Sequence, residues 1–171
     1  YDATYDPNYD CSAYDTQDTK WLLKENFTYT SCAGRDSIIE DKNNPSGWDV
    51  RTIGGSLKGP YYHGNYQLID TSEYYPVEIS RNFENADHGV VTLETQVKFE
   101  AGMDGASLTV YGGNTAAVKL ETNGGKMYLK NADQDIYLFD YTPDTFFGLK
   151  VIMDVDNNIV KSIYMSGVKK G

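Results

Sequence analysis

Two carboxylates on one predicted strand are the first residues of this sequence that could do chemistry. Glu94 and Glu100 lie six positions apart in the stretch LETQVKFE, so a strand would place both on the same face. Retaining glycosidases need their two carboxyl groups about 5–5.5 Å apart, whereas six residues of strand span about 20 Å. The two carboxylates are therefore too far apart for that reaction.

No other set of acid–base or nucleophilic residues has a recognisable spacing. His63 and His88 are the two histidines of the chain, and neither lies at a spacing typical of acid–base catalysis. Ser56 lies in GGSLKG and not in the Gly-x-Ser-x-Gly turn of a hydrolase. The stretch DVDNN, which begins at Asp154, has the start of an EF-hand loop but lacks its later Gly and Glu. We predict a hairpin turn at DVDNN and no catalytic activity.

A loop rich in tyrosine and glycine indicates a different chemistry, the binding of sugars. Tyrosine rings can stack on the C–H faces of pyranoses, and planar polar side chains bond the hydroxyl groups. Glycines in the stretch VRTIGGSLKGPYYHGNY allow such rings to reach the surface. The predicted ligand-binding residues are Arg51, Tyr61, Tyr62, His63, Asn65 and Tyr66 in this loop, with Tyr111, Asn114 and the outward-facing Tyr128 and Tyr137 as secondary candidates. The alternative for each tyrosine is packing over an edge of the fold.

The two cysteines, Cys11 and Cys32, form no metal-binding motif. There is no Cys-x-x-Cys pair and no Cys/His cluster, so zinc is not expected. We predict a disulfide between them, which would contribute about 3 kcal/mol by constraining the unfolded chain. Two unpaired thiols, one of them buried, are the alternative. The small number of cysteines, the content of Tyr, Asp, Asn and Gly, and the acidic composition together favour a secreted or extracellular location.

Composition limits the class of partner. The chain has 171 residues and a net charge of −10, with 40% hydrophobic residues, which is enough for a folded core. A surface this acidic repels phosphate backbones and anionic lipids. We therefore expect no nucleic-acid partner and no membrane insertion. Because the sequence begins at Tyr1 without a leader, we interpret it as a mature or excised piece of a longer protein.

Short runs of alternating apolar and polar residues predict an all-β domain over residues 21–171. Such alternation in VVTLETQVKF is typical of a half-buried antiparallel strand. Further strands are predicted at PVEISRNF, ASLTVY, AAVKLE, KMYLK, IYLFD and FFGLKVIMDV. Strands that recur about every 8–12 residues indicate an antiparallel β-sandwich or jelly roll. Residues 1–20, rich in Tyr-Asp pairs, are predicted to be an arm or linker outside this domain.

The segment YTPDTFFGLKVIMDVDNNIVKSIYMSGV resembles the laminin-G/concanavalin-A-like jelly-roll domains attached to secreted polysaccharide-degrading enzymes of bacteria. In that family a Tyr-x-Pro-x-Thr-aromatic turn leads into a strand, an Asp-Val-Asp-like hairpin, and a strand with a Tyr and a closing Gly-Val. The stretches NPSGWDV, YQLIDTSEYYPVEISRNFE and GVVTLETQVKF resemble the family's opening strands in the same order. The resemblance covers roughly residues 21–168 and implies a concanavalin-A-like jelly roll.

The resemblance implies two further features. Related modules often hold one structural calcium, and an early ligand would fall at Glu25 and Asn26, so these two residues are candidates for a structural calcium while no cofactor is required. Such domains also carry strands after the final Gly-Val, whereas this chain ends shortly after the turn at Ser166-Gly167. We expect the fold to be incomplete at its carboxy terminus, with the sheet that contains Ile159–Met165 completed by strand material from outside residues 21–171, because an open edge invites association.

These observations predict a non-catalytic carbohydrate-binding module of a larger secreted polysaccharide-degrading or cell-surface protein. Its partners would be a polysaccharide or oligosaccharide and the remainder of a multidomain chain. The alternative is a structural or adhesive surface domain that binds protein or itself. A third interpretation is that the chain is part of a polysaccharide lyase or glycoside hydrolase. A sugar-binding module would lose affinity when its tyrosines are replaced by alanine, whereas an adhesin would not respond to glycans.

Overall fold

The computed structural model describes residues 22–23, 47–61 and 65–171. These residues form antiparallel sheets and no helix, so the all-β prediction is confirmed. Nothing in this part of the chain has the helical length and hydrophobicity that crossing a bilayer requires. The arm predicted at residues 1–20 lies outside the described residues. The described strands are β1 (Asp49–Arg51), β2 (Gly55–Tyr61), β3 (Asn65–Asp70), β4 (Glu78–Ser80), β5 (Val90–Val97), β6 (Ser107–Gly112), β7 (Thr115–Asn123), β8 (Lys126–Leu129), β9 (Ile136–Asp140), β10 (Phe147–Asp154), β11 (Ile159–Met165) and β12 (Val168–Lys169).

The strands belong to two compact units, each with its own sheets. The amino-terminal unit lies within Asp6–Glu84, and the carboxy-terminal unit contains Asn85–Gly171. In the carboxy-terminal unit two four-stranded sheets have the orders β12-β11-β10-β5 and β6-β7-β8-β9. One hydrophobic core draws residues from both sheets, so they pack as a β-sandwich-like pair. Its buried members are Val118, Leu120, Met127, Leu138, Phe139, Tyr141, Phe147, Leu149, Val151, Met153 and Ile163.

Alternation along the strands explains which residues enter this core. Successive side chains of a strand point to opposite faces, and β10 buries Phe147, Leu149, Val151 and Met153 in that order. Phe147 is the centre of an aromatic group. Its ring centroid lies 6.1, 5.9 and 6.0 Å from those of Phe99, Phe139 and Tyr141. The alternation read from the sequence is therefore that of a strand with one face in the core.

The hairpin between β10 and β11 forms at DVDNN, as predicted. Asn158 has a φ of 52°, a left-handed conformation that asparagine tolerates well. The Asp154 carboxylate accepts hydrogen bonds from the backbone N–H and the side-chain amide of Asn157, at 3.1 and 3.0 Å. The side-chain bond from Asn157 lowers the pKa of Asp154, because it favours the charged form. This carboxylate is therefore engaged inside the turn.

β11 has partners on both sides. β10 pairs with it along its length, and β12 pairs with Tyr164 and Met165. The Ile163 N–H also donates to the Gly171 carbonyl oxygen at 2.8 Å. Within the described residues, this second partner follows only the carboxy-terminal part of β11.

The short returning strand corrects one expectation. The sequence suggested that no strand follows the Ser166-Gly167 turn, but Val168–Lys169 pairs back along β11. Ser166 and Gly167 both adopt left-handed conformations, with φ of 47° and 81°. Two consecutive left-handed residues make a tight hairpin turn that reverses the chain at once. Both strands that pair with β11 belong to residues 21–171, so the expectation that outside strand material fills its second side is wrong for Tyr164 and Met165.

In the amino-terminal unit a short outer ladder encloses a hairpin. β1 pairs with β4, and β2 pairs with β3 between them in the sequence. A Cβ atom at Gly54 would lie 1.6 Å from the carbonyl oxygen of Tyr75, and one at Gly55 would lie 1.9 Å from that of Ile69. Thr71 donates to the Gly54 carbonyl oxygen from its N–H at 2.9 Å and from its hydroxyl at 3.1 Å. These contacts fix the turn before β2 against the segment after β3.

The strand predicted at PVEISRNF is shorter than the sequence pattern suggested. β4 covers Glu78–Ser80 alone, and Phe83, expected on its apolar face, lies outside the strand and is exposed. Its partner strand begins only at Asp49, after Gly47 has taken a left-handed φ of 69°. The residues of this pattern that follow Ser80 therefore have no partner strand in the β1–β4 ladder.

Candidate functional site

Most of the predicted site lies outside the part of the chain whose side chains are described. This applies to the tyrosine-rich loop, the cysteines and the candidate calcium ligands. They are Tyr61, Tyr62, His63, Asn65, Tyr66, Cys11, Cys32, Glu25 and Asn26. The predictions made for them stay predictions.

Arg51 lies at a polar groove on the β1–β4 ladder. The register pairs Arg51 with Glu78 and Asp49 with Ser80. Directly opposed residues share a face, and so do residues two apart on one strand, so all four side chains lie on one side of the ladder. The groove has a volume of about 430 Å³ and is lined by these four residues and Val50. It therefore offers guanidinium donors, carboxylate acceptors and a hydroxyl group on one open surface.

Two neighbouring tyrosines and an isoleucine form an exposed tip in the same unit. Tyr74 is 84% exposed, Tyr75 57% and Ile53 80%. The hydroxyl oxygen of Ser72 accepts hydrogen bonds from the backbone N–H groups of both tyrosines, each at 3.1 Å. The Asp70 carboxylate in turn accepts from the Ser72 N–H at 3.0 Å. The loop backbone is thus held by side-chain bonds while its rings face water.

The tip and the groove lie at the same end of the β1–β4 ladder. The backbone of Tyr75 packs directly on Gly54, which follows Arg51 by three residues. Glu78 follows Tyr75 by three residues, and three residues of chain span at most about 10 Å. The backbone of Tyr75 is therefore within about 10 Å of the Arg51–Glu78 end of the groove. We call this combination the groove site, defined by Asp49, Arg51, Tyr74, Tyr75 and Glu78.

Of the residues in the groove site, only Arg51 was selected from the sequence as a ligand-binding candidate. Nothing in the sequence shows that β1 pairs with β4 across the intervening hairpin, so the opposition of Arg51 and Glu78 was not foreseeable. A signal for the tip was present. The pattern Asp70-Thr71-Ser72 precedes the two tyrosines, and Asp and Ser side chains in such positions bond the backbone N–H groups that follow.

Tyr111 and Asn114 lie at the β6–β7 hairpin of the carboxy-terminal unit, a different unit from that of Arg51. Both are exposed. The register of the same sheet opposes Tyr128 and Tyr137, with their ring centroids 6.0 Å apart and their planes at 70°. The outward orientation predicted for this pair agrees with the burial of Met127 on the other face.

A charged network borders this tyrosine pair. The Glu121 carboxylate lies 2.7 Å from the Lys119 ammonium and 3.2 Å from that of Lys130, and Lys130 also lies 2.5 Å from Asp135. The hydrogen bond from Lys119, with a smaller one from Lys130, lowers the pKa of Glu121 below its ordinary value of 4.5. Glu121 therefore stabilises the folded chain while it is ionised.

Replacing Glu121 with glutamine is expected to remove part of the acid sensitivity of the protein. A lowered folded pKa contributes stability that is present above the unfolded value and is lost as the pH falls through the folded value. At pH 7 Glu121→Gln should lower the free energy of unfolding by about 0.5–1 kcal/mol, and the difference from the parent should shrink towards pH 3. Urea unfolding at the two pH values measures this. In the Glu121→Gln background, Lys119→Met should cost less than in the parent; equal costs in both backgrounds would contradict the coupling.

Within the described residues no three His, Cys, Asp or Glu side chains are grouped so as to hold a metal ion. The candidate calcium ligands Glu25 and Asn26 lie outside those residues. A structural calcium therefore stays a prediction for that part of the chain.

No protein-family model, curated protein or solved structure matches this chain. The resemblance to laminin-G/concanavalin-A-like domains stays a prediction that rests on the sequence motifs.

Proposed function

We propose that this protein is a carbohydrate-binding module and that the groove site is where it binds. The observation that supports this is the pair of exposed, backbone-held tyrosines, Tyr74 and Tyr75, at the Arg51–Glu78 end of a polar groove. Sugars present apolar C–H faces and hydroxyl groups together, and this surface offers rings and hydrogen-bonding groups together. The proposed fold is a concanavalin-A-like jelly roll, which goes beyond the β-sandwich-like pairing of sheets.

Each part of the groove site has a distinct role in this proposal. The rings of Tyr74 and Tyr75 stack on pyranose faces. The Arg51 guanidinium donates hydrogen bonds to ring or hydroxyl oxygens, and the carboxylates of Asp49 and Glu78 accept them from hydroxyl groups. Because Ser72 already fixes the backbone of both tyrosines, little conformational entropy is lost when a sugar binds.

The proposal also covers the location of the protein and the larger protein to which it belongs. The module is non-catalytic, secreted or on the cell surface, and part of a larger multidomain protein that acts on or adheres to polysaccharide. A net charge of −10 supports a partner without phosphate groups. The absence of a suitably spaced carboxylate pair at Glu94 and Glu100 supports a binding role over hydrolysis.

Replacing either tip tyrosine with alanine is expected to weaken glycan binding. Each stacked ring on an open surface should be worth roughly 1–2 kcal/mol, which is about 5- to 30-fold in Kd. Affinity electrophoresis through a panel of plant and microbial polysaccharides would identify a retarding glycan, and Tyr74→Ala and Tyr75→Ala would then be compared with the parent.

The matched controls are Tyr74→Phe and Tyr75→Phe, which keep the ring and should retain most of the affinity. Thermal unfolding of each variant checks that the fold is unchanged. If a glycan retards the protein and folded Tyr74→Ala and Tyr75→Ala are retarded as strongly as the parent, the groove site is the wrong surface. If no glycan in the panel retards the parent, the adhesive alternative is favoured instead.

A further inference from the structure

The outer face of the β6–β9 sheet carries an ordered row of side chains that the groove site does not use. The register places Glu121, Tyr128 and Tyr137 side by side on three neighbouring strands. Their sequence neighbours Leu120, Met127 and Leu138 are buried in the core, so the row faces away from it. Neighbouring strands lie about 4.8 Å apart, and the row is therefore about 10 Å long. We call it the tyrosine row.

Three contacts hold the ring of Tyr137, the last residue of the tyrosine row. Tyr137 is 51% exposed, yet its hydroxyl donates to the Asp140 carboxylate at 3.2 Å. The Lys126 ammonium lies 5.9 Å from the centre of the same ring. The ring of Tyr128 packs against the same ring in a T-shaped arrangement. A ring that is both exposed and fixed is prepared for stacking on a flat ligand.

The charges around the tyrosine row select the kind of ligand. Lys119, Lys126 and Lys130 are balanced by Glu121, Asp135 and Asp140, three positive against three negative side chains in a chain of net charge −10. Lys119 and Lys130 already pair with Glu121, and Lys130 also pairs with Asp135. An anionic ligand would have to compete with these carboxylates for the lysines. A neutral ligand with many hydroxyl groups could hydrogen-bond to both signs without breaking the pairs.

We propose that the tyrosine row is a second carbohydrate-binding surface, which takes a segment of a neutral polysaccharide. Tyr137 supplies the stacking ring, Tyr128 orients it, and the Glu121 and Lys126 side chains bond the hydroxyl groups on either side. The ligand class rests on the proposed function. The surface itself lies in a different unit from the groove site and is tested separately.

The experiment uses the full chain and two groups of probes. Hydroxyethylcellulose, laminarin and galactomannan are neutral, and polygalacturonate is anionic. Retardation in affinity gels is measured for the parent, for Tyr137→Ala, for the double variant Tyr74→Ala/Tyr75→Ala, and for the three changes combined. Tyr137→Phe keeps the ring, and Tyr164→Ala removes a tyrosine from a strand of the other sheet in the same unit.

We expect Tyr137→Ala to weaken binding of at least one neutral probe roughly 5- to 30-fold in Kd, in the parent and in the Tyr74→Ala/Tyr75→Ala background alike. Tyr137→Phe and Tyr164→Ala should bind nearly as the parent does. Unchanged thermal midpoints establish that each variant is folded.

The outcomes separate this inference from the proposed function. If Tyr74→Ala/Tyr75→Ala abolishes binding and Tyr137→Ala changes nothing, the tyrosine row is overturned and the groove site stands. If Tyr137→Ala alone reduces binding, the tyrosine row is supported and the groove site is the wrong surface. If only polygalacturonate binds, the neutral ligand class is overturned. If no probe binds the parent, both proposals fail.

Discussion

Replacing Gly54 with alanine is expected to destabilise the amino-terminal unit by about 3 kcal/mol or more, at the upper end of overpacking effects. The new Cβ atom would lie 1.6 Å from the carbonyl oxygen of Tyr75 and 2.5 Å from its carbonyl carbon. Both are backbone atoms, so no rotamer change can relieve the overlap. Separating the two segments would break the bonds from Thr71 to the Gly54 carbonyl and would release the tyrosine tip. Urea unfolding followed by tryptophan fluorescence measures the loss.

A matched control for this change is Gly112→Ala in β6. No atom lies within 4 Å of a Cβ built at Gly112, and the residue is exposed on a strand. We expect its effect on the free energy of unfolding to stay within about 0.5 kcal/mol. If Gly54→Ala were as harmless as Gly112→Ala, the close approach of the Gly54 turn to Tyr75 would be wrong.

Two isoleucines of β11 provide the second large expected difference. Ile163 is 1% exposed in the core shared by the two sheets, whereas Ile159 on the same strand is 53% exposed. Ile163→Ala should cost about 2–5 kcal/mol, because it removes buried methyl groups and leaves a cavity. Ile159→Ala should cost less than about 1 kcal/mol, since most of its surface already meets water.

Urea unfolding of the two alanine variants under one set of conditions gives the comparison. The identical chemistry of the substitutions means that any difference reports burial. Val90, exposed at the start of β5, offers a second surface control as Val90→Ala. Equal losses for Ile163→Ala and Ile159→Ala would contradict the shared core and the orientation of β11 within it.

Local patterns were sufficient to predict most strands of the carboxy-terminal unit. In β7 and β10 apolar residues alternate with polar ones, and turn-forming residues such as Asn158 lie where the chain reverses. These features depend on neighbours in the sequence, and so the sequence displays them. The strand expected around Phe83 was overestimated because its end depends on where the partner strand β1 begins, which no local pattern records.

The candidate site was less predictable, because its residues meet through long-range pairing. Arg51 was selected for its surroundings in the sequence, yet its neighbour in the structure is Glu78 on another strand. Tyr137 could be read as outward-facing from alternation. Its position opposite Tyr128 depends on an irregularity in the β8–β9 register that shifts the pairing by one residue. Such shifts arise from the whole sheet and leave no mark on a single strand.

The nesting of the ladders has a consequence for the order of folding. In each unit an outer ladder encloses hairpins that lie between its two strands in the sequence. β1–β4 encloses β2–β3, and β5–β10 encloses β6–β9. The inner hairpins need only local contacts, whereas the outer ladders require a long loop to close, which slows folding. We therefore expect the outer ladders to form late.

The two outer ladders also differ in how readily they should open. The β5–β10 ladder joins eight residue pairs, but the β1–β4 ladder joins three. Short ladders with solvent-exposed bonds open locally at low free-energy cost. Since Arg51 and Glu78 line the groove from opposite strands of that short ladder, its opening would separate the walls of the groove. Under the proposed function, a sugar that bridges the two strands would favour the closed ladder by mass action, and its arrival would slow hydrogen exchange at the backbone amides that bond across this ladder.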